Sequence, residues 1–77
     1  MMSAQHLAKM ANDIGAFFEA MPNQDQAARD VAEHISKFWE PRMVHALLQD
    51  VEDHGTDELK PVVRNALFHL QGELQSN

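Results

Sequence analysis

Five histidines in a 77-residue acidic chain are the residues that most directly suggest chemistry. Three of them stand four positions from a carboxylate, a spacing that places both side chains on one face of a helix. These pairs are Asp30 with His34, Asp50 with His54, and His69 with Glu73. A zinc site needs about four converging nitrogen, oxygen or sulfur ligands. Because no two histidines are four apart and cysteine is absent, we expect surface ion pairs and no metal site.

The hydroxyl side chains and glycines give no catalytic pattern. A catalytic nucleophile or base must be oriented by a second group inside a cleft that excludes water. Two of the few hydroxyl side chains, Ser3 and Thr56, already suit a helix cap and a turn. The three glycines form no phosphate-binding loop. We therefore expect no catalytic residue, no cofactor-binding residue and no bound cofactor, so that the chain is not an enzyme by itself.

Composition narrows the classes of partner. Six basic residues against twelve acidic ones give a formal charge of −6, a field that repels nucleic acid and complements a basic patch on a protein. The first residues contain no apolar run typical of a secretory signal or a membrane span, so we expect a cytoplasmic protein without membrane contact. A chain of this length buries only about 60% of its surface. Such a thin core often gains stability from a partner.

The apolar periodicity predicts an all-α fold, a small bundle of four short helices that forms one domain over residues 1–77. We place these helices at about 4–20, 24–38, 41–53 and 61–74. Ser3 is expected to cap the first helix, and Asn23 with Gln26 reads as a capping box for the second. Gly55 fits the end of the third helix, because glycine accepts the left-handed conformation found there.

Each predicted helix has one apolar face, and these faces define the expected core. Helix one presents Leu7, Met10, Ile14, Phe17, Phe18 and Met21 within an arc of about 100°. Helix two presents Ala27, Ala28, Val31, Ile35 and Phe38. Helix three presents Met43, Val44, Leu47, Leu48 and Val51, and helix four presents Val62, Val63, Ala66, Leu67, Leu70 and Leu74. Gly15 costs helix one about 1 kcal/mol relative to alanine, which predicts close approach of a neighbouring helix.

The most distinctive segment is the run FWEPRM from Phe38 to Met43. Pro41 forbids a continuous helix, because it lacks an N–H group and its ring clashes with the preceding turn. Glu40 is therefore expected to be extended and able to cap the next helix, which Pro41 begins. The segment predicts a sharp corner between helices two and three.

Two interpretations fit the side chains of this corner. In the first, Trp39 covers the core and Arg42 is a solvated charge that pairs with Glu40 or Glu33. In the second, both bind a partner, because tryptophan and arginine are enriched among the residues that dominate interfaces. Arg42 points about 170° away from the apolar stripe of its helix, so the core does not require it. The sequence leaves both interpretations open.

Two further residues are candidates for partner contact. His34 borders the apolar face of helix two, where it either bonds the backbone or Asp30, or contacts a partner. Phe68 points about 170° from the centre of the apolar stripe of helix four, so its ring is aimed away from the core. The predicted partner-binding residues are thus Trp39, Arg42, Phe68 and His34.

Three segments carry a resemblance to a known family: MANDIGAFF from Met10, VAEHISKFWEPRM from Val31 and PVVRNAL from Pro61. They resemble the delta subunit of cytoplasmic, NAD-dependent, molybdenum-containing formate dehydrogenase over about Leu7 to Leu70. The middle segment is the most specific of the three. Glu40 stands where the family pattern has aspartate or glutamate, and either carboxylate can cap a helix.

The resemblance implies a non-catalytic subunit that binds the large subunits and supports assembly, stability or molybdenum-cofactor insertion. It also implies that molybdenum, iron–sulfur clusters and flavin belong to those other chains. Two other classes remain open. One is a free-standing helical adaptor or a homodimer, in which case the isolated chain forms a homo-oligomer. The other is a small protein that binds metal through its histidines.

Overall fold

Four helices make up the chain in a computed structural model that describes the backbone of residues 3–75 and the side chains of residues 3–72. They are α1 (Ala4–Phe18), α2 (Gln24–Phe38), α3 (Pro41–His54) and α4 (Pro61–Gln75). Residues 3–75 contain no strand, so the all-α prediction is confirmed. Among these same residues, no helix combines the length and apolar character that crossing a bilayer requires.

The first two helices begin at the polar residues that the sequence indicates. The Ser3 hydroxyl accepts a hydrogen bond from the His6 amide at 3.1 Å, and the Asn23 side chain accepts one from the Gln26 amide at 3.0 Å. These bonds satisfy amides that have no partner inside the helix. The second half of the predicted capping box is absent, because the Gln26 side chain donates to Asp30 at 2.9 Å.

The corner between α2 and α3 has the predicted backbone but not the predicted cap. Glu40 is extended, with φ −68° and ψ 148°, and Pro41 is the first residue of α3. The Glu40 carboxylate makes no capping bond and instead accepts from the Arg42 guanidinium at 2.9 Å. At the other end of α3, Gly55 has a φ of 85°, a left-handed conformation that favours glycine.

The core is centred where α4 packs on α2, and its side chains are mostly small. Trp39 is the one aromatic residue among the buried apolar side chains of residues 3–72. The others are Leu7, Ala8, Ala11, Ala27, Ala28, Val31, Ala32, Ile35, Val44, Leu47, Leu59, Val62, Val63, Ala66, Leu67 and Leu70. Leu74, which we assigned to this core, lies outside the described side chains.

At Gly15, α1 lies close against α4. A Cβ atom built on Gly15 would lie 2.7 Å from a methyl carbon of Val63 and 3.1 Å from one of Val62. The first distance is shorter than atoms of this kind tolerate, so the absence of a side chain is what permits the contact. The predicted close approach of a helix at Gly15 is confirmed.

Asn12 joins α1 to the loop between α3 and α4. Its side-chain amide donates to the Glu58 carbonyl at 2.8 Å, and its carbonyl accepts from the Lys60 amide at 2.9 Å. Leu59, between these two loop residues, is buried in the core, although no periodic pattern in the sequence includes it. Both bonds join residues more than forty positions apart, so they fix the path of the chain into α4.

Candidate interaction surface

Three of the four phenylalanines are exposed to solvent, whereas the tryptophan is buried. Trp39 is 7% exposed, whereas Phe17, Phe38 and Phe68 are 79%, 72% and 72% exposed. Phe18 is partly buried against the core. The prediction that Phe68 points away from the core is confirmed, but the assignment of Phe17 and Phe38 to the core is wrong.

Phe17 is exposed because the buried face of α1 is shifted from the predicted apolar stripe toward small residues. That face consists of Leu7, Ala8, Ala11 and Gly15. At 100° per residue, Phe17 lies about 120° from Ala11 and about 160° from Gly15. The predicted stripe is centred on the largest side chains, whereas the close approach of α4 favours the smallest.

Phe38 is exposed for a different reason. Helical spacing puts it within about 20° of the buried Val31, but Phe38 is the last residue of α2. The backbone then becomes extended at Trp39, whose side chain is buried in the core. A signal for the exposure of Phe17 was present in the sequence. Neighbouring residues on a helix differ by about 100°, so the rings of Phe17 and Phe18 cannot both lie at the centre of one buried stripe.

Four rings form a continuous surface across α1 and α2, which we call the aromatic ridge: Phe17, Phe18, His34 and Phe38. The Phe17 and Phe18 ring centroids are 5.0 Å apart at an interplanar angle of 85°. Phe18 and His34 are 6.5 Å apart at 62°, and His34 and Phe38 are 4.7 Å apart at 40°. Separations of this size are those at which aromatic rings attract one another in edge-to-face or offset arrangements.

Charged residues border the aromatic ridge. A shallow depression of about 220 Å³ is lined by Phe18, Asp30, Glu33, His34, Lys37 and Phe38. The Lys37 ammonium lies 2.7 Å from the Glu33 carboxylate. The hydrogen bond with Lys37, and then its charge, lower the pKa of Glu33, and the same contacts raise the pKa of Lys37. Lys37 is thus engaged with Glu33, while Asp30 accepts a hydrogen bond from the neutral Gln26 side chain.

His34 is half-buried between the rings of Phe18 and Phe38. Among the described residues it makes no hydrogen bond to Asp30 or to the backbone, which were the contacts expected of a boundary histidine. An imidazole ring always carries at least one donor or acceptor nitrogen. His34 therefore brings hydrogen-bonding capacity to a surface that is otherwise apolar.

The two candidate residues of the corner separate in the structure. Trp39 follows the first interpretation, because its side chain is part of the core and not of the surface. Arg42 is exposed and its guanidinium contacts Glu40 at 2.9 Å. An exposed pair of this kind contributes about 1 kcal/mol or less to stability, so Arg42 remains available to a partner.

Phe68 belongs to a second surface, the Phe68 groove, between the end of α3 and α4. This groove has a volume of about 270 Å³ and is lined by Val51, Thr56, Arg64, Asn65, Leu67, Phe68 and Gln71. The Arg64 guanidinium donates to the Leu59 carbonyl at 3.0 Å, so its charge is partly engaged with the loop. The groove therefore combines the exposed ring of Phe68 and the apolar side chains of Val51 and Leu67 with polar residues around them.

The histidine–carboxylate pairs are dispersed. His54 and Asp50 are 2.9 Å apart, and His69 has Asp25 at 4.0 Å. The side chain of Glu73, the predicted neighbour of His69, lies outside the described part of the chain. Among the side chains that are described, no three histidine or acidic groups come together in a way that would hold a metal ion.

Comparisons with known proteins gave one match. A family model described as the NADH-dependent formate dehydrogenase delta subunit FdsD matches residues 6–67, which is well over half of the chain. The match includes all of the aromatic ridge and the corner at Pro41, and it ends just before Phe68. Searches of curated proteins and of solved structures found no match.

Proposed function

We propose a non-catalytic, partner-binding role for this chain, which belongs to the NADH-dependent formate dehydrogenase delta subunit family. In this role the chain binds the large subunits of a formate dehydrogenase. It thereby supports their assembly, their stability or the insertion of the molybdenum cofactor. Oxidation of formate and reduction of NAD take place on the other subunits, so the chain acts as an accessory subunit. We propose that it does so in the cytoplasm.

The observation that carries this proposal is the exposure of three phenylalanines on a chain of only 77 residues. Four of its five aromatic residues are phenylalanines, and three of these four are more than two-thirds exposed. A small domain gains stability by burying such rings, at about 25 cal/mol per Å² of apolar surface. Large exposed apolar patches on a folded chain are typical of surfaces that bind other proteins.

The residues proposed to contact the large subunits are His34, Arg42 and Phe68. Each has a side chain that the core does not enclose. An exposed arginine supplies a fork of donors for carboxylates, and an exposed phenylalanine supplies area for a hydrophobic contact. Trp39 is not among them, because a side chain that is 7% exposed offers little surface to a partner. Its contribution is to support the corner that carries Arg42.

Co-purification tests the proposal directly. The tagged chain is co-expressed with the native large subunits, and the amount of each subunit retained by the tag is measured. We expect the large subunits to be retained in a fixed ratio to the chain. Failure of the intact chain to retain any large subunit contradicts the proposed function.

The same experiment separates a permanent subunit from a maturation factor. A permanent subunit remains at a fixed ratio in the active, cofactor-loaded enzyme, whereas a maturation factor is retained only by enzyme that lacks its cofactor. Arg42→Ala and Phe68→Ala are each expected to weaken retention a fewfold, because each removes one exposed side chain from the proposed contact. If both variants bind like the parent, the interface lies elsewhere on the chain.

A further inference from the structure

We propose that the aromatic ridge is the main docking surface of the chain and that its partner surface is an apolar pocket with a basic rim on a large subunit. This inference rests on the proposed function and adds the surface and the chemistry of its partner. Phe17 and Phe38 are the proposed anchors, since they are the most exposed rings of the ridge. Three observations support it: the exposed area, the mutual packing of the rings, and the charge around them.

The exposed area of the ridge suits the centre of an interface. A phenylalanine side chain buries about 150–250 Å² when it is fully covered. Phe17 and Phe38, at 79% and 72% exposure, therefore offer about 300 Å² together. A specific interface buries about 800 Å² on each partner, with a hydrophobic centre and a polar rim. The ridge is thus large enough to form that centre, and surrounding polar residues complete the contact.

The packing of the rings prepares them for binding. Phe17 lies edge-on against Phe18, whose ring is held against the core, and Phe38 lies 4.7 Å from the half-buried His34. Each exposed ring therefore packs against a neighbouring ring that is partly buried. Ordering a free side chain costs about 0.5–1.5 kcal/mol on association, so rings that are already positioned bind at lower entropic cost.

The charge around the ridge selects the partner. Asp30 and Glu33 contribute two negative charges to the depression beside the rings, and Lys37 contributes one positive charge, which leaves a net charge of −1. Lys37 is already paired with Glu33 at 2.7 Å. With a formal charge of −6 on the whole chain, a partner rim of lysine or arginine is attracted to this face.

The same charge disfavours a second copy of this chain as the occupant. A dimer that joined two ridges would place two depressions of net charge −1 against each other, and each copy carries a formal charge of −6. Like charges placed opposite one another in an interface are repulsive and suppress the wrong partner. The large subunit is therefore the favoured occupant.

Binding of ridge variants to the purified large subunits tests this inference. We expect Phe17→Ala and Phe38→Ala each to raise the Kd about 30-fold, the loss typical of a buried aromatic anchor. Phe68→Ala is the comparison variant, because it removes the same residue type, also 72% exposed, from the other surface, where we propose only a minor contact. It should raise the Kd much less. Asp30→Asn should weaken binding at low salt and have less effect at high salt, since the rim interaction is electrostatic.

The outcomes distinguish this inference from the proposed function. If the parent chain binds but both ridge variants bind equally well, or if Phe68→Ala has the larger effect, the inference is overturned and the subunit role stands. If the isolated parent is a dimer that Phe38→Ala dissociates while binding to the large subunit is unchanged, a second copy occupies the ridge and the inference is also overturned. If the parent does not bind the large subunits, both fail together.

Discussion

The contact between α2 and α4 and the aromatic ridge use opposite residue types. The helix contact is filled by alanine, valine and leucine side chains, with Ala27, Ala28 and Ala66 completely or almost completely buried. The ridge holds three of the four phenylalanines, two of them mainly exposed. Small side chains let helix backbones approach closely, and this approach leaves no room for large rings between them. The two regions therefore differ in role: the helix contact stabilises the fold, and the ridge is the surface that we propose to bind a partner.

This division has a direct energetic consequence. Removing a buried group costs the lost transfer free energy and leaves a cavity, whereas removing an exposed group costs neither. Substitutions in the helix contact should therefore lower stability, and substitutions in the ridge should lower association without lowering stability. Phe38 and Trp39, which are adjacent in sequence and opposite in burial, provide the sharpest comparison.

Trp39→Ala has the largest expected effect on folding, a loss of about 3–5 kcal/mol in the free energy of unfolding. The indole closes the core at the corner, and no other aromatic ring is buried among the described side chains. Phe38→Ala is the matched control and should stay within about 0.5 kcal/mol of the parent. Urea denaturation followed by circular dichroism measures both. A large loss for Phe38→Ala would show that its ring supports the fold, which would remove the contrast between the two regions.

Asn12→Ala has the next largest expected effect, a loss of about 1–3 kcal/mol, because it leaves the Glu58 carbonyl and the Lys60 amide without their partner. Asn12→Asp is the conservative comparison, since it keeps an acceptor for Lys60 and loses only the donor to Glu58. Hydrogen exchange should show faster exchange at Lys60 in the alanine variant than in the aspartate variant. Equal protection of Lys60 in both would mean that the loop is held mainly by the burial of Leu59.

Gly15→Ala has an intermediate expected effect, a net loss of about 1 kcal/mol. The added methyl gains about 1 kcal/mol of helix propensity, but overpacking against Val63 costs about 1–3 kcal/mol. Gly72→Ala is the matched control on α4, because a Cβ atom there meets no atom within 4 Å. It should raise the melting temperature slightly, whereas Gly15→Ala should lower it. Stabilisation by both substitutions would show that α1 can move away from α4 at little cost.

These contrasts also show which features can be predicted from sequence. Pro41, Ser3 and Asn23 act on neighbours within about four residues, and local chemistry sufficed to predict what they do to the backbone. The bonds of Asn12 and the burial of Leu59 depend on residues far along the chain, and no local pattern indicates them. The exposure of Phe17 likewise depends on how closely α4 approaches Gly15. Periodicity predicted which helices form, but helix packing decided which apolar residues are buried.

The smallest expected effect on folding comes from the ion pair between Glu33 and Lys37, which lies beside the aromatic ridge. Lys37 lowers the pKa of Glu33 below its ordinary value of 4.5, so the stabilising contribution of this carboxylate is present above that pH and is lost as the pH falls through the lowered pKa. Glu33 raises the pKa of Lys37 above 10.5, so the contribution of Lys37 is lost as the pH rises through that higher pKa. The stabilising contribution of this ion pair is therefore fully present from about pH 4.5 to about pH 10.5.

Glu33→Gln should remove this pH-dependent contribution with almost no change in the melting temperature at pH 7, because both side chains are exposed and screened by solvent. Melting curves of the parent and the variant should coincide at acidic pH, where Glu33 is protonated in both states of the parent. In the proposed docking mode, the charges of Glu33 and Lys37 act on the partner more than on the fold. Association with the large subunit at pH 7 should therefore change more than stability does. A clear drop in melting temperature without a change in association would assign this ion pair to the fold and remove it from the proposed docking surface.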